Sequence, residues 1–364
     1  MTGIRIIDGQ KSALQGVLVI ANSGRMLAHS VKQAGYSPLV IDLFADQDTE
    51  VIAEQLWQVE NLSLAVIQEI VEQVLLSYKI QWVIYGSGLE NQPETLVYLA
   101  EHFTVAGNNA TVCKLLSCKK AFFKHLDALD IRYPDVRFYL PEDTDGWLIK
   151  PIHHLGGVGI NWCDRKTTED EYYQKFCLGQ SGSVLFCANG QYVELIGYHR
   201  QWTIDQRNFS FAGIIQECVL PEYEQHRMQR WLEKLVSCYH LKGLGSLDFI
   251  WNGEHCFFLE INPRPPASMM LYPELDLLRA HMTGQLTKVK QYKKIHALQV
   301  VYAQQPCEIY KPIEWPAWSF DRPKLHTRIQ QGEPICSIMA QEHTAEQALN
   351  SLLEKQIIIE NNLY

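Results

Sequence analysis

The stretch from Gly245 to Arg264, Gly-Ser-Leu-Asp-Phe-Ile-Trp-Asn-Gly-Glu-His-Cys-Phe-Phe-Leu-Glu-Ile-Asn-Pro-Arg, permits few folds. It reads as a pair of strands joined by a tight turn at Asn252-Gly253. Leu247, Phe249 and Trp251 alternate along the first strand, and Phe257, Leu259 and Ile261 along the second. These apolar side chains share one face only if the loop holds an odd number of residues, such as Asn252-Gly253-Glu254. The same register gathers Asp248, Glu260 and Asn262 on the opposite face. A pair of carboxylates and an amide oxygen suit Mg²⁺ bound to phosphates. Arg264 follows directly, with a planar fork able to grip an anion.

At 364 residues the chain is long enough for more than one domain, and 47% hydrophobic residues supply sizeable cores. The formal net charge is −9, and the only basic run is Lys288, Lys290, Lys293 and Lys294, which reads as a solvated linker. Nucleic acid is therefore not an expected partner. The longest apolar stretches are of strand length, so no membrane partner is expected either. The chain lacks a charged-then-apolar leader, which points to the cytoplasm. The ten cysteines are scattered without CxxC or zinc spacing, so most are expected to be reduced and buried.

Strands and helices alternate at the start: strand 17–21, a helix to about Ala34, strand 38–44, a mainly helical stretch from Glu50 to Tyr78, and strand 81–85 ending at Gly86-Ser-Gly88. This predicts a Rossmann-like parallel sheet over residues 1–110. The first turn has a single glycine, Gly24, where a dinucleotide fingerprint needs three. Ser23, Arg25, Ser87 and Glu90 are candidates for touching substrate, with helix capping the plainer role for both serines. A helix is expected from Asn108–Thr111 to about Leu129. Beyond it lie strands near 147–151, 183–189, 191–202 and 209–219, then helix 222–240. Residues 111–290 thus form a second domain with antiparallel sheets, and 291–364 a small β-rich unit with one late helix. The expected class is α/β and α+β. There is no internal repeat and no low-complexity tract.

Lys150-Pro-Ile-His-His-Leu-Gly-Gly-Val-Gly159 sets a cation at a strand end before a flexible loop. Gly156, Gly157 and Gly159 let backbone approach phosphate oxygens, although an ordinary hairpin connection has even weight when the loop stands alone. His153 and His154 are loop residues rather than zinc ligands, since no third ligand has a recognisable spacing. Lys119 and Lys120, on a helix, would ordinarily be solvated. Gln174-Lys-Phe-Cys-Leu-Gly-Gln180 follows an acidic helix start and can present backbone to a base edge, although by itself it reads more simply as a helix-to-strand connection.

In this order the pieces resemble the ATP-grasp superfamily, over roughly residues 15–290, with Asp248…Glu260-Ile-Asn262-Pro-Arg264 as the most specific element. The tail Asp321-Arg-Pro…Gly332-Glu-Pro-Ile-Cys336 resembles the small β unit that closes many such enzymes. The resemblance implies that Lys119 and Lys150 bind ATP phosphates and that Lys175, Phe176, Cys177 and Leu178 meet adenine, with Gln174 at the head of that hinge. It implies Gln180 or Ser181 for ribose, and Asp248, Glu260 and Asn262 for Mg²⁺, with Mn²⁺ as an alternative. The sequence departs from the pattern at Gln174 and Gln180, where many relatives are acidic. It departs again at Ser246, where several ligases carry an arginine, so Arg264 or Arg200 must stabilise the oxyanion. The nearest branch by texture is that of tyramine–glutamate ligases of methanofuran synthesis and related proteins of methylotrophic bacteria.

The leading expectation is an ATP-dependent carboxylate–amine ligase, with an amino-acid carboxylate and an amine as partners, and a homodimer as the commonest assembly. The competing readings are an ATP-binding regulatory protein without turnover, favoured by Ser246, and an oxidoreductase on the N-terminal sheet, disfavoured by the missing glycines.

Overall fold

The computed structural model describes residues 15–153, 155–205, 207–218, 220–287 and 294–363, together with the backbone of 5–7. His154, Lys288, Lys290 and Lys293 lie outside the described residues.

The N-terminal sheet runs, in spatial order, Arg5–Ile7, Gln55–Gln58, Ser37–Asp42, Gly16–Ile20, Ile80–Tyr85 and Thr104–Val105. All neighbours are parallel except the Arg5–Ile7 edge. Every residue of Gly16–Ile20 is buried, as a central strand covered on both faces must be. The stretch Glu50–Tyr78, expected to be mainly helical, is interrupted by Gln55–Gln58. Leu56 and Trp57 pair there with Val40 and Ile41, so tertiary pairing overrides local helix propensity. The predicted helix from Asn108 to Leu129 is likewise split, into Ala110–Ser117 and Lys119–Ala128, with a break at Cys118 where ψ is 72°. Asn109 opens the first half by accepting from Val112 N at 3.0 Å.

The largest sheet is antiparallel throughout, in the order Cys256–Asn262, Lys242–Trp251, Gln180–Asn189, Val193–Thr203, Phe211–Gln216, Ile295–Tyr302, Pro334–Glu342 and Ser319–Phe320. One face carries Val184, Leu247 and Phe249 into a core beneath helices Lys119–Ala128 and Glu222–Tyr239. The other face carries Leu185, Cys187 and Leu244 into a core shared with Leu27, Ala28 and Val31 of the N-terminal helix Arg25–Gln33. The strands after residue 294 extend this sheet instead of closing on themselves, which covers the hydrogen-bonding edge of Phe211–Gln216. Helix Ala345–Leu363 packs on that extension through Ala348, Leu352 and Ile359. A second, four-stranded sheet runs Val136–Arg137, Glu171–Lys175, Trp147–Pro151 and Asn161–Trp162. Glu171–Lys175 is therefore a strand where the sequence suggested the end of an acidic helix.

The hairpin differs from expectation in one instructive way. Trp251 pairs with Cys256, so the loop holds Asn252 to His255, an even number. Asn252 Oδ1 closes it, accepting from the backbone N–H groups of Glu254 and His255 at 2.9 and 2.7 Å. A bulge between Asp248 and Phe249 then corrects the parity: Leu247 pairs with Ile261 and Asp248 with Glu260, so the two carboxylates share a face as the pattern requires. Near the turn, Cys256 and Phe258 take the core positions, while Phe257 and Leu259 stay half-buried. The shared face of the carboxylates survives, but by a bulge instead of an odd loop, and in a register two residues from that of a three-residue loop.

Candidate active site

Register decides which side chains meet. Asp248 pairs with Ser183, Ser183 with His199, and Asp248 with Glu260, so all four stand on one face of the large sheet. Ser246 and Asn262 pair with each other on that same face. Opposite them, the four-stranded sheet offers Leu148 and Lys150 from one strand and Gln174 from the next. Between lies a cleft of about 1380 Å³ that continues to the carboxyl ends of the N-terminal strands. Asn22, Ser23, Arg25, Gly86 and Ser87 line that far end, facing Asp321 to Thr327 of the C-terminal segment. Ligands in open α/β sheets bind at such strand ends.

Asn262 Nδ2 donates to Asp248 Oδ2 and to Ser246 Oγ, each at 3.2 Å. The amide nitrogen, not the oxygen, thus faces Asp248, and Oδ1 turns toward Arg264 Nη2 at 3.4 Å. For Asn262 to give an oxygen ligand its amide must turn by half a rotation. Asp248 Oδ1 is buried and lacks a hydrogen-bond partner among the described residues. Burial, and then the nearby Glu260, push the Asp248 carboxyl up to about 7. A divalent cation beside these carboxylates would replace the solvation they have lost, so the donor set fits Mg²⁺. Among the described residues no cluster of three or more His, Cys, Asp or Glu forms a full metal cage. The remaining ligands would have to be phosphate oxygens and water, which is how Mg²⁺ is usually held.

Lys150 is 5% exposed and donates to Gln174 Oε1 at 3.1 Å. Desolvation lowers its ammonium to about 8 against the opposing pull of Glu260. Gly156 and Gly157 line the cleft, with φ of +55° and +79°, and Gly156 O accepts from Phe211 N at 2.8 Å. Gly159 (φ +82°) lies outside the lining. Lys175, Phe176, Cys177, Leu178 and Ser181 line the cleft. Gln180 does not, because it faces Trp251 at the far end of its strand. Lys119 begins its helix instead of sitting within one; its ammonium is 6.0 Å from the centre of the Phe122 ring and close enough to Lys150 to lower it, but it does not line the cleft.

Arg200 does not line the cleft. It pairs with Gly182, one step from His199, so it projects from the sheet face opposite Asp248, where it ion-pairs with Glu217. Arg264 does line the cleft. Its Nε is 2.6 Å from Glu90 Oε1, and the second Glu90 oxygen has no hydrogen-bond partner among the described residues. Glu90 therefore acts on the site through Arg264, while Ser23, Arg25 and Ser87 reach the cleft themselves. Neither serine caps a helix: the residues at the starts of Arg25–Gln33 and Pro93–His102 are Gly24 and Gln92. Arg25 is 3% exposed and is held by Asp321 at 2.7 Å and by the Phe320 ring, 4.9 Å away. His153 is 3.2 Å from Asn91 Oδ1, at the surface.

Nothing in the sequence singled out Ser183, which lines the cleft, or His199 and Tyr272, which are buried outside the lining. His199 Nδ1 is 3.2 Å from Ser183 Oγ, and Nε2 is 2.8 Å from Tyr272 OH. Burial drives His199 down to about 3, so it is neutral at physiological pH. The residues are far apart in the chain and carry no local signature. Of the ten cysteines four are buried, three half-buried and three exposed, so the expectation of mostly buried thiols fails.

Residues 116–268 match the ATP-grasp domain family. An uncharacterized protein of Methanocaldococcus jannaschii is 21% identical over 271 residues, 69% of this chain and 67% of that one. Among solved structures, the L-amino acid ligase of Bacillus licheniformis aligns with a TM-score of 0.72 at 11% identity, over 97% of this chain and 98% of the ligase. The biotin carboxylase domain of 2-oxoglutarate carboxylase from Hydrogenobacter thermophilus, in complex with MgADP, ADP and bicarbonate, aligns at 0.73 and 13% identity, over 94% of this chain and 89% of that domain. Rhizobium etli pyruvate carboxylase also aligns at 0.73 and 12% identity over 94% of this chain, which spans only 37% of that longer protein. The chain thus carries an ATP-grasp domain within a mixed α/β fold that it shares with L-amino acid ligase and biotin carboxylases.

Proposed function

We propose that the protein is an ATP-dependent carboxylate–amine ligase. A substrate carboxylate attacks the γ-phosphorus of ATP and releases ADP, and an amine then displaces phosphate from the acyl phosphate to give an amide. The protein has to align phosphates and neutralise developing charge. Lys150, with Lys119 behind it, answers the phosphates. The hinge Lys175–Leu178 takes the adenine edge, and Ser181, in place of Gln180, the ribose. Asp248 and Glu260, with Asn262 once its amide turns, would hold Mg²⁺, which supplies positive charge between the phosphates. The loop through Gly156 and Gly157 keeps water from the acyl phosphate. Arg264, positioned by Glu90, is the cation left to stabilise the oxyanion, since Arg200 faces away. The carboxylate is assigned to glutamate and the amine to an aromatic amine or amino acid, by resemblance to tyramine–glutamate ligases.

The observation carrying this reading is the register that turns Asp248 and Glu260 together toward Lys150 across one cleft. Glu260→Gln is expected to lower ATP-dependent acyl-phosphate formation by about a hundredfold or more, with an unchanged circular dichroism spectrum. Turnover at the wild-type rate in that variant refutes the role. A second reading, an ATP-binding protein without turnover, is favoured by Ser246, whose hydroxyl accepts from Asn262 Nδ2 at 3.2 Å where several ligases have an arginine. ADP release with ATP-Mg²⁺, glutamate and a panel of amines including tyramine separates the two.

A further inference from the structure

Gln174 is 3% exposed on the strand Glu171–Lys175, registered against Leu148, and lines the cleft. Its Oε1 accepts from Lys150 Nζ at 3.1 Å. Nε2 is buried and has no acceptor among the described residues. Lys150 settles which way the amide points. An ammonium offers only donors, so a turned amide would set N–H against N–H. The two side-chain groups that meet here, Lys150 Nζ and Gln174 Nε2, are thus both donors. Leu148, Ile160, Phe176, Leu178, Ile250 and Leu259 supply the apolar walls on which a flat base can lie. A buried donor left unmatched is destabilising, so a ligand that brings an acceptor is favoured over one that brings another donor.

Resting on the nucleotide site proposed above, we propose that Gln174 reads the nucleobase and that the site accepts 6-oxo purine nucleotides alongside adenine nucleotides. The edge of guanine or hypoxanthine presents O6 and N7, both acceptors. Adenine presents N7, but its 6-amino group is a donor and opposes Nε2. A carboxylate at this position would reverse the preference, because it accepts from the amino group and repels O6. Gln174→Glu also keeps a partner for Lys150, so it changes the reading group without stranding the buried ammonium.

The test is calorimetric titration of Mg·ADP, Mg·GDP and Mg·IDP into wild type, Gln174→Glu and Gln174→Leu. Wild type is expected to bind GDP and IDP with Kd values no more than fivefold above that for ADP. Gln174→Glu should shift the GDP-to-ADP ratio of Kd values at least tenfold toward ADP, and Gln174→Leu should weaken GDP and IDP more than ADP. A wild-type preference for ADP above fivefold, or a ratio that Gln174→Glu leaves within twofold, overturns the inference. The wild-type ratio decides even if the variants fail to fold. Adenine-only binding sinks this inference but leaves the nucleotide site standing; no binding of any of the nucleotides removes both.

Discussion

Asp46 shows at the scale of one residue how placement outweighs composition. It lines the far end of the cleft just before helix Gln47–Ile52, yet its side chain makes no cap hydrogen bond. Burial first, then Asp321, Asp42 and Asp48, raise its carboxyl to about 8, with Arg25 pulling the other way. In the unfolded chain the group titrates near the usual 4. Between those values the unfolded state gives up its proton while the folded state keeps it. The stability contributed by Asp46 is therefore fully present below about pH 4 and lost as pH rises through about 8. Asp46→Asn removes that penalty. It is expected to be close to neutral at pH 4 and to stabilise by up to about 5 kcal/mol at pH 9, read from urea midpoints at both pH values. Equal effects at the two would contradict the assigned burial. None of this was legible in the sequence, because Asp46 and Asp321 are brought together only by the tertiary fold.

At the scale of the element, the hairpin and the glycine loop carry the account. The alternation of Leu247, Phe249 and Ile261 was enough to put Asp248 and Glu260 on one face, because a buried face tolerates no slip, but not to pair them directly. The means was not legible: a loop closed by the Asn252 side chain and a bulge are set by local hydrogen bonds that alternation does not encode. Arg200 was misplaced for a related reason, since nothing local fixes the register of Val193–Thr203, which itself shifts between Leu185 and Phe186 of its neighbour. The glycine loop was legible in composition, and its docking explains why Gly157 must be glycine. Its φ is +79°, and an added Cβ would lie 2.1 Å from Phe209 O, a backbone atom that cannot swing aside. Gly157→Ala should free the loop from residues 209–211, with kcat/KM for ATP falling about tenfold or more while the melting temperature moves by only a few degrees. Gly253→Ala is the control: it also has a positive φ, +96°, but meets nothing within 4 Å. It should cost about 1 kcal/mol and leave kinetics unchanged. Steady-state rates with limited proteolysis check both.

At the scale of the molecule, strand–helix alternation predicted the parallel N-terminal sheet, and the strand runs predicted the antiparallel sheets beyond it. What did not show was how the parts merge. The last strands were expected to form a unit of their own, but they continue the large sheet, since edge pairing is a tertiary choice. The N-terminal helix Arg25–Gln33 shares a core with that sheet, and Asn108 binds the backbone of both Lys242 and Pro263 at 2.8 to 2.9 Å. Arg25 ties Asp321 to the first strand–helix turn. The cleft is therefore walled by three segments held in fixed relation, and the carboxylates at its centre face a lysine across it. Calorimetry of Mg·ADP binding to wild type and to Asp248→Asn tests that arrangement most directly. The account predicts saturable binding in wild type that depends on Mg²⁺ and weakens at least tenfold in the variant; no heat in wild type, or equal affinity with and without Mg²⁺ in both proteins, would contradict it.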